Sequence, residues 1–406
     1  MKLKLLVLFG GKSVEHEVSV ISALQAVAFM DADKYDIISV YITKENEFYT
    51  GLECSMIEEY KDIPALLKKS TRCVLMRTEG GVKLLRYPFK KFGSNVISDI
   101  DVAFPIVHGT NVEDGTLQGY LKTLGLPFVG CDVTASAVGM DKYVMKTVLK
   151  DNGIPVLDCL RFYLSDYDDV AAIIKKCEDR IGYPVIVKPV NLGSSVGISV
   201  AHSAGELEDS LDHAFKFATV VLVERAITNL KEINCSVLGD TAKAEASECE
   251  APAKADEILS YEDKYMSGGG GKKGGKTGGS KGMASLSRKI PADISPERRE
   301  EIRSLAVRAF QVLGCNGVSR IDFMIDQDED KVYLNEINTI PGSLSFYLWE
   351  PLGVPYKELL DRMIELALKR KREEDSVTFS FDTNILNVDR SFTGGSKGSK
   401  GGKLKV

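Results

Sequence analysis

Leu5-Leu6-Val7-Leu8-Phe9-Gly10-Gly11-Lys12-Ser13-Val14-Glu15-His16-Glu17-Val18-Ser19 begins with five consecutive apolar residues and breaks on two glycines. A short unbroken apolar run that ends on a turn signal reads as a strand buried on both faces, the kind found in parallel sheets. Residues 18–29 then take the amphipathic period of a helix, and Ile37-Ile38-Ser39-Val40-Tyr41-Ile42 supplies the next apolar strand. Strand, helix, strand is α/β grammar. A further apolar strand over 101–107 and a helical period over 115–124 extend it, so residues 1–133 read as an N-terminal α/β domain with a Rossmann-like parallel sheet.

Outward from that domain the alternation continues. Residues 134–224 carry a helix from Asp141, a strand at 160–163, a helix to Ile181, the strand Pro184-Val185-Ile186-Val187-Lys188-Pro189 and a last strand ending at Glu224. Residues 225–372 read as an α+β unit whose strongest strands are 318–325 and 332–338, with a long covering loop at 259–286. Residues 268–282 and 394–403 are almost purely Gly, Lys, Ser and Thr, a solvated composition, and the tail 373–406 carries no role. A length of 406 residues fits two or three cores. The eight cysteines lack metal-ligand spacing and read as reduced thiols of a cytoplasmic protein. A formal charge of −6 argues against a nucleic-acid surface, and no apolar run is long enough for a membrane helix.

One motif is a decoy. Residues 270–277 satisfy G-x-x-x-x-G-K-[ST], with Lys276 and Thr277 in the phosphate and magnesium positions. That loop works only between a strand and a helix, so that N–H groups and the helix dipole converge on phosphate. Here a polar stretch precedes it and more glycine follows, and in a Gly/Lys run the match is expected by chance.

The residues that carry chemistry lie elsewhere. Strand alternation places Arg320 with Asp322, and Glu336 with Asn338, each pair on one face. If those strands pair face to face, two carboxylates and an amide oxygen converge beside an arginine, a donor set suited to Mg²⁺. A solvated strand face with an Arg–Asp pair is the plain alternative. Lys188 ends an apolar strand before the small-residue loop 191–197, where a point charge and loop N–H groups can meet phosphate. Lys142 is a second phosphate candidate, although a lone helical lysine is more often a solvated charge. Glu224, at a strand end, is a candidate acceptor for adenine or ribose. Glu15, at the start of the first helix, can hold an amine, and His108 closes another strand where a structural role is the commoner one.

Taken in order, Gly10-Gly11-Lys12-Ser13, Glu15, His108-Gly109, Glu113-Asp114-Gly115-Thr116-Leu117-Gln118-Gly119, Met140-Asp141-Lys142, Val187-Lys188-Pro189, Gly193-Ser194-Ser195-Val196-Gly197, Lys264-Tyr265, Ser319-Arg320-Ile321-Asp322 and Asn335-Glu336-Ile337-Asn338-Thr339 with Pro341-Gly342 resemble the D-alanine-D-alanine ligase family of ATP-grasp enzymes. The resemblance covers residues 3–370. It implies an ATP-grasp fold and a ligase that joins two D-alanines through an acyl phosphate, for peptidoglycan precursors. ATP would be the co-substrate, with two Mg²⁺ ions, or Mn²⁺ in their place, on Asp322, Glu336 and Asn338. Lys142, Lys188 and Lys264 would meet the phosphates, and Glu224 and Glu232 the adenine and ribose. Glu15, linked to Ser194 and Tyr265, would bind the first D-alanine. Arg320 and the N–H of Gly342 would stabilise the tetrahedral intermediate. Members of the family are commonly homodimers.

The segment after Pro341-Gly342 departs from the family pattern, in which a serine near a histidine meets the acceptor's carboxylate. This chain has Ser343-Leu344-Ser345-Phe346-Tyr347. His108, Phe346 and Tyr347 are therefore expected to line the acceptor pocket, with Tyr347 donating one hydrogen bond to a small acceptor. D-alanine and another small acceptor such as D-serine both stay open, and a nucleotide-binding module without turnover is the distant alternative.

Overall fold

The computed structural model describes residues 2–193, 196–252 and 288–379. The strands, in chain order, are β1 (Leu3–Gly10), β2 (Tyr35–Ile42), β3 (Phe48–Thr50), β4 (Thr71–Thr78), β5 (Gly81–Arg86), β6 (Val96–Ile100), β7 (Val102–Pro105), β8 (Cys159–Tyr163), β9 (Val185–Pro189), β10 (Ser199–Ala201), β11 (Val220–Arg225), β12 (Leu230–Gly239), β13 (Ala244–Pro252), β14 (Arg288–Lys289), β15 (Gly317–Asp326) and β16 (Lys331–Asn338). They form three sheets, ordered β6-β5-β4-β3-β2-β1-β7, β10-β9-β11-β8 and β14-β13-β12-β15-β16.

The first sheet is parallel only in its middle. β1 runs parallel to β2 and to β7, as the apolar runs imply, and the helix His16–Phe29 follows β1. From β2 outward the sheet continues antiparallel through β3, β4, β5 and β6, which the all-parallel reading did not contain. Those strands mix buried residues with half-buried or exposed ones, and β3 has only three residues. One solvated face dilutes the apolar run that marks a strand buried on both sides.

The second sheet is antiparallel throughout and packs against the helices Val170–Arg180 and Ala204–Ala214 through Ile173, Cys177, Leu207 and Leu211. The third sheet takes its core from the helix Pro296–Val312 and from an element expected in the central unit. The helix Lys142–Asp151 turns Met145 and Leu149 into that core, and Ala135 from the helix Val133–Met140 joins them. Residues four apart share one helix face, so this stripe is visible in the sequence, but which sheet it meets is not. The C-terminal helix Tyr356–Asp375 runs beyond residue 373 and packs Leu359, Leu360, Met363 and Ile364 into the core of the first sheet, beside Trp349.

Candidate active site

The site is written across the third sheet. Asn234 on β12 stands opposite Glu250 on β13 and Asp322 on β15, and Asp322 stands opposite Glu336 on β16. Directly opposed residues of an antiparallel pair project from the same face, so these four polar side chains form one row across four strands. Ser236, Arg320 and Asn338 are matched in the neighbouring row, and Glu232 is matched with Met324 on the same face. Ile233, Cys235, Ile321, Phe323 and Ile337 go to the opposite face and are buried. The apolar half of each strand thus anchors the polar half.

Within the row, Arg320 donates through Nε to Asp322 Oδ1 and through a terminal nitrogen to Oδ2, both at 2.7 Å, the bidentate geometry that holds a guanidinium in one plane. Asn338 Nδ2 donates to Asp322 Oδ2 at 3.1 Å. Burial raises the Asp322 pKa, the Arg320 charge opposes it, and Glu336 and Glu250 push it further up. The Arg320 guanidinium loses by burial and gains more from Asp322, so its pKa rises well above the ordinary value. A hard divalent cation fits this donor set. Asp322 and Glu336 stand opposite one another with Asn338 beside them, and a carboxylate whose pKa is raised by burial, with Glu336 and Glu250 adding to it, is relieved by added positive charge.

Two lysines reach the row from outside the sheet. Lys142 Nζ lies 3.3 Å from Glu336 Oε2 and donates to the Leu192 carbonyl at 2.8 Å. Lys188 Nζ donates to Asn335 Oδ1 at 3.1 Å and pairs with Glu224, tying β9 of the second sheet to β16 of the third. Glu224 is fully buried, with Lys146 on its other oxygen. Burial alone would raise its pKa, but Lys146 and Lys188 outweigh burial and pull it down to about 2. Beside this trio lies a cleft of 290 Å³ whose walls include Leu157, Lys188, Glu224, Ala226, Leu230 and Met324, apolar surface ending on charge.

The first domain supplies the far wall. Glu15 precedes the helix His16–Phe29, and its carboxylate is closed in by two glycines. A Cβ at Gly109, where φ is +83°, would lie 3.0 Å from Glu15 Oε2, and a Cβ at Gly193 would lie as close. A side chain at either position would press on the carboxylate.

His108, Phe346 and Tyr347 are not arranged as the sequence reading expects. Ser343 N–H donates to Ser22 Oγ at 3.0 Å, Ser22 Oγ lies 3.0 Å from His108 Nε2, and His108 Nδ1 lies 2.7 Å from the Ile340 carbonyl. With Ser22 Oγ–H donating to Nε2, His108 donates through Nδ1 and is neutral, and burial lowers its pKa accordingly. Its polar edges serve a clamp between the first domain and residues 340–343, not a substrate. Phe346 stacks on Tyr356 with ring centroids 4.4 Å apart. The Tyr347 hydroxyl donates to Glu250 Oε1 at 3.2 Å, and Arg288 lies 3.9 Å from its ring centroid. Phe346 therefore follows its apolar neighbours into the core, and Tyr347 is committed to a buried carboxylate, which also raises its own pKa after burial. Ser343, Leu344 and Ser345 all have φ near +50°, a left-handed run that non-glycine residues adopt only when packing enforces it. Leu344 and Ser345 are fully buried.

Lys146, Glu113, Glu250 and Arg288 belong to this region and were not singled out as site residues. Glu113 accepts from Gly109 N–H at 3.0 Å, Ile340 N–H at 2.8 Å and Thr339 Oγ at 3.1 Å, a second clamp onto the same loop. It lay inside a quoted motif, whereas Lys146, one turn after Lys142, looks like a second solvated lysine. Ser194, Lys264, Tyr265, the decoy motif and the covering loop lie outside the described residues.

Residues 4–131 match the family described as D-ala D-ala ligase N-terminus, and residues 148–365 match D-ala D-ala ligase C-terminus. The chain belongs to the D-alanine-D-alanine ligase family. D-alanine-D-alanine ligase of Thermosipho melanesiensis is 39% identical over 382 residues, 94% of this chain and 98% of the relative. That of Thermoanaerobacter sp. is 41% identical over 382 residues, 92% and 98%. Among solved structures, the D-alanine-D-alanine ligase from Coxiella burnetii superposes with a TM-score of 0.75 at 31% identity, covering 92% of this chain and 96% of that one. The VanG D-Ala:D-Ser ligase from Enterococcus faecalis gives 0.73 at 29%, covering 90% and 100%. ATP-grasp is thus the fold of this ligase family member, in which the central and third sheets face each other across the Lys188–Asn335 contact.

Proposed function

We propose that this chain is an ATP-dependent ligase that joins two D-alanines into D-alanyl-D-alanine, a step of peptidoglycan precursor synthesis in the cytoplasm. The observation that carries it is the convergence of Arg320, Asp322, Glu336 and Asn338 on one sheet face, with Lys142 3.3 Å from Glu336 and Lys188 at Asn335. A nucleotide-binding module without turnover does not require that set, and the ligases of Thermosipho melanesiensis and Thermoanaerobacter sp. support the enzymatic reading. No helix of the described residues is long and apolar enough to cross a membrane.

In this reading adenine lies in the 290 Å³ cleft beside Glu224, with Glu232 toward the ribose, and the phosphates run toward Lys188, Lys142 and Lys264. Asp322, Glu336 and Asn338 would hold Mg²⁺, which supplies charge neutralisation between the phosphates when bound. Glu15 takes the ammonium of the first D-alanine, with Ser194 and Tyr265 as its expected partners. A carboxylate oxygen of that D-alanine attacks the γ-phosphorus, the bond to ADP breaks, and an acyl phosphate results. The amine of the second D-alanine then attacks the acyl carbon, loses a proton, and expels phosphate. Arg320 and the N–H of Gly342 stabilise the oxyanion between those bonds. No protein nucleophile is needed, and positioning with charge neutralisation carries the rate.

The test is coupled measurement of ADP release with D-alanine, D-serine, D-lactate and larger D-amino acids, together with mass analysis of the product. D-alanine alone should drive turnover to the dipeptide. Turnover only with D-serine present beside D-alanine would move the acceptor assignment, and no amino-acid-dependent ADP release would sink the reading. The family habit of pairing extends the proposal to a homodimer, which sedimentation at working concentration decides.

A further inference from the structure

One cation in the central region is left over by that mechanism. Lys146 sits on the helix Lys142–Asp151, one turn past Lys142, and is buried, while Met145 and Leu149 of the same helix enter the core of the third sheet. A buried lysine has to be paired, and its partner is Glu224. Glu224 lies on β11 with no exposed surface, Lys188 on one carboxylate oxygen and Lys146 on the other. Three charged groups in one dry place therefore carry two positive charges and one negative.

The two lysines are not equivalent. Lys188 stands on β9, diagonal to Glu224 across the β9–β11 pairing, and its ammonium already divides itself between Glu224 and Asn335 at the edge of the metal row. It faces the place where phosphate would arrive. Lys146 comes from behind, from a helix whose other face is locked into the core of the third sheet, and among the described residues the one hydrogen bond of its ammonium goes to Glu224. A phosphate at Lys188 would draw that ammonium away from Glu224. A carboxylate with no exposed surface does not tolerate the loss of its last cation, so it would either hold Lys188 back or pick up a proton.

We propose that Lys146 is a positioning residue that keeps Glu224 ionised and fixed at the rim of the nucleotide cleft while Lys188 is given up to the nucleotide's phosphates. It rests on the nucleotide site proposed above. Lys146 touches neither substrate nor reacting atoms; it acts through Glu224, and its presence turns a competition between Glu224 and phosphate for a single ammonium into an exchange that leaves both anions paired.

The experiment is a double-mutant cycle on the full chain, with Lys146→Gln, Glu224→Gln and the double variant, and Lys146→Arg as the charge-retaining control. Steady-state ADP release gives the KM for ATP and for D-alanine in each, and thermal unfolding gives the fold. Parent enzyme with no D-alanine-dependent ADP release would refute the functional reading itself, and the cycle speaks only when the parent turns over. Lys146→Gln should raise the KM for ATP by at least about tenfold, the scale of one charge-assisted hydrogen bond, and leave the KM for D-alanine within about twofold. In the Glu224→Gln background the same substitution should change the KM for ATP by less than about threefold, because no buried carboxylate is left to compete for Lys188. Lys146→Arg should stay close to the parent. A KM for ATP unmoved by Lys146→Gln, an equal loss in both backgrounds, or an arginine variant as impaired as the glutamine one overturns the proposal. Should Lys146→Gln alone not fold, the double variant, which buries no unpaired carboxylate, must fold and bind ATP like Glu224→Gln. A double variant that also fails to fold overturns it.

Discussion

Replacing Glu113 by glutamine should remove a pH dependence of stability that this structure builds into one side chain. Glu113 is buried, and burial pushes its pKa up to about 7 from an ordinary 4.5, against the three donors from Gly109, Thr339 and Ile340. A folded-state pKa above the unfolded one means that the folded protein holds the proton more tightly between those two values. Unfolding then releases a proton, and stability falls as pH rises through the window. The contribution is fully present below about pH 4.5 and is lost as pH passes about 7. At about 1.36 kcal/mol per pKa unit, the shift corresponds to roughly 3 kcal/mol. Glutamine does not titrate, so that slope disappears, although its amide NH₂ must face one of the three donors at a cost of about 1–3 kcal/mol. Urea unfolding of parent and Glu113→Gln from about pH 5 to about pH 8 gives the difference directly. The parent's advantage should shrink by about 2–3 kcal/mol across that range. A difference that stays constant to within about half a kcal/mol would show that Glu113 is ionised throughout, held down by its donors, and the reasoning from burial fails.

Glu336→Gln should lower turnover on the order of a hundredfold or more with unfolding unchanged, because the divalent ion would lose a charged ligand; near-normal kcat refutes the metal assignment. Tyr347→Phe removes the hydrogen bond to Glu250, which keeps Asn234 and Arg288, so stability should fall by about 0.5–1.5 kcal/mol while the acceptor's KM stays within about twofold. A large rise in the acceptor's KM would return Tyr347 to the acceptor pocket. Lys276→Ala should leave turnover within a few-fold of the parent, and a loss on the order of a hundredfold would make the Walker-like run a true phosphate contact.

How far the sequence could be read depended on how local each signal is. β15 and β16 announce themselves by alternation, and the alternation puts Arg320 with Asp322 and Glu336 with Asn338. The pairing Arg320↔Asn338 and Asp322↔Glu336 then merges the two faces. The other half of the row, Asn234 and Glu250, depends on registers across β12 and β13 that include a bulge between Cys235 and Val237, and a bulge changes facing without changing composition. The antiparallel outer strands β3 to β6 were lost for the same kind of reason, since one solvated face leaves a weak apolar signal. Tyr347 was misread because a tyrosine near a site advertises a donor, while the carboxylate that captures it lies almost a hundred residues away at Glu250. Lys146 was passed over because burial of a lysine is a tertiary fact: the stripe of Met145 and Leu149 beside it signals a buried face, but only the fold brings Glu224 to its end.

The two seams of the molecule are built from different chemistry, and that difference follows from what each seam must do in the proposed reaction. The first domain meets residues 339–343 through neutral, buried hydrogen bonds at His108 and Ser22, the Glu113 clamp, and an apolar core shared with Leu344, Trp349 and the C-terminal helix. Nothing in that seam is a group a nucleotide would take. The second sheet meets the third through Arg225 on Asp326 and Lys188 on Asn335, and the helix Lys142–Asp151 adds Lys142 on Glu336, polar contacts whose two lysines are the ones phosphate would claim in the proposed reaction. Apolar contact with neutral hydrogen bonds fixes one geometry, and in this seam it holds residues 340–343 against the first domain. Ion pairs exchange partners when a better anion arrives, at the cost of one contact for another. In the proposed reaction a nucleotide entering the 290 Å³ cleft would exchange the two lysine contacts for its own phosphates, leaving the Arg225–Asp326 pair and the first seam in place. In that reading the chain itself preorganises the oxyanion side of the proposed site, and the substrate completes its phosphate side.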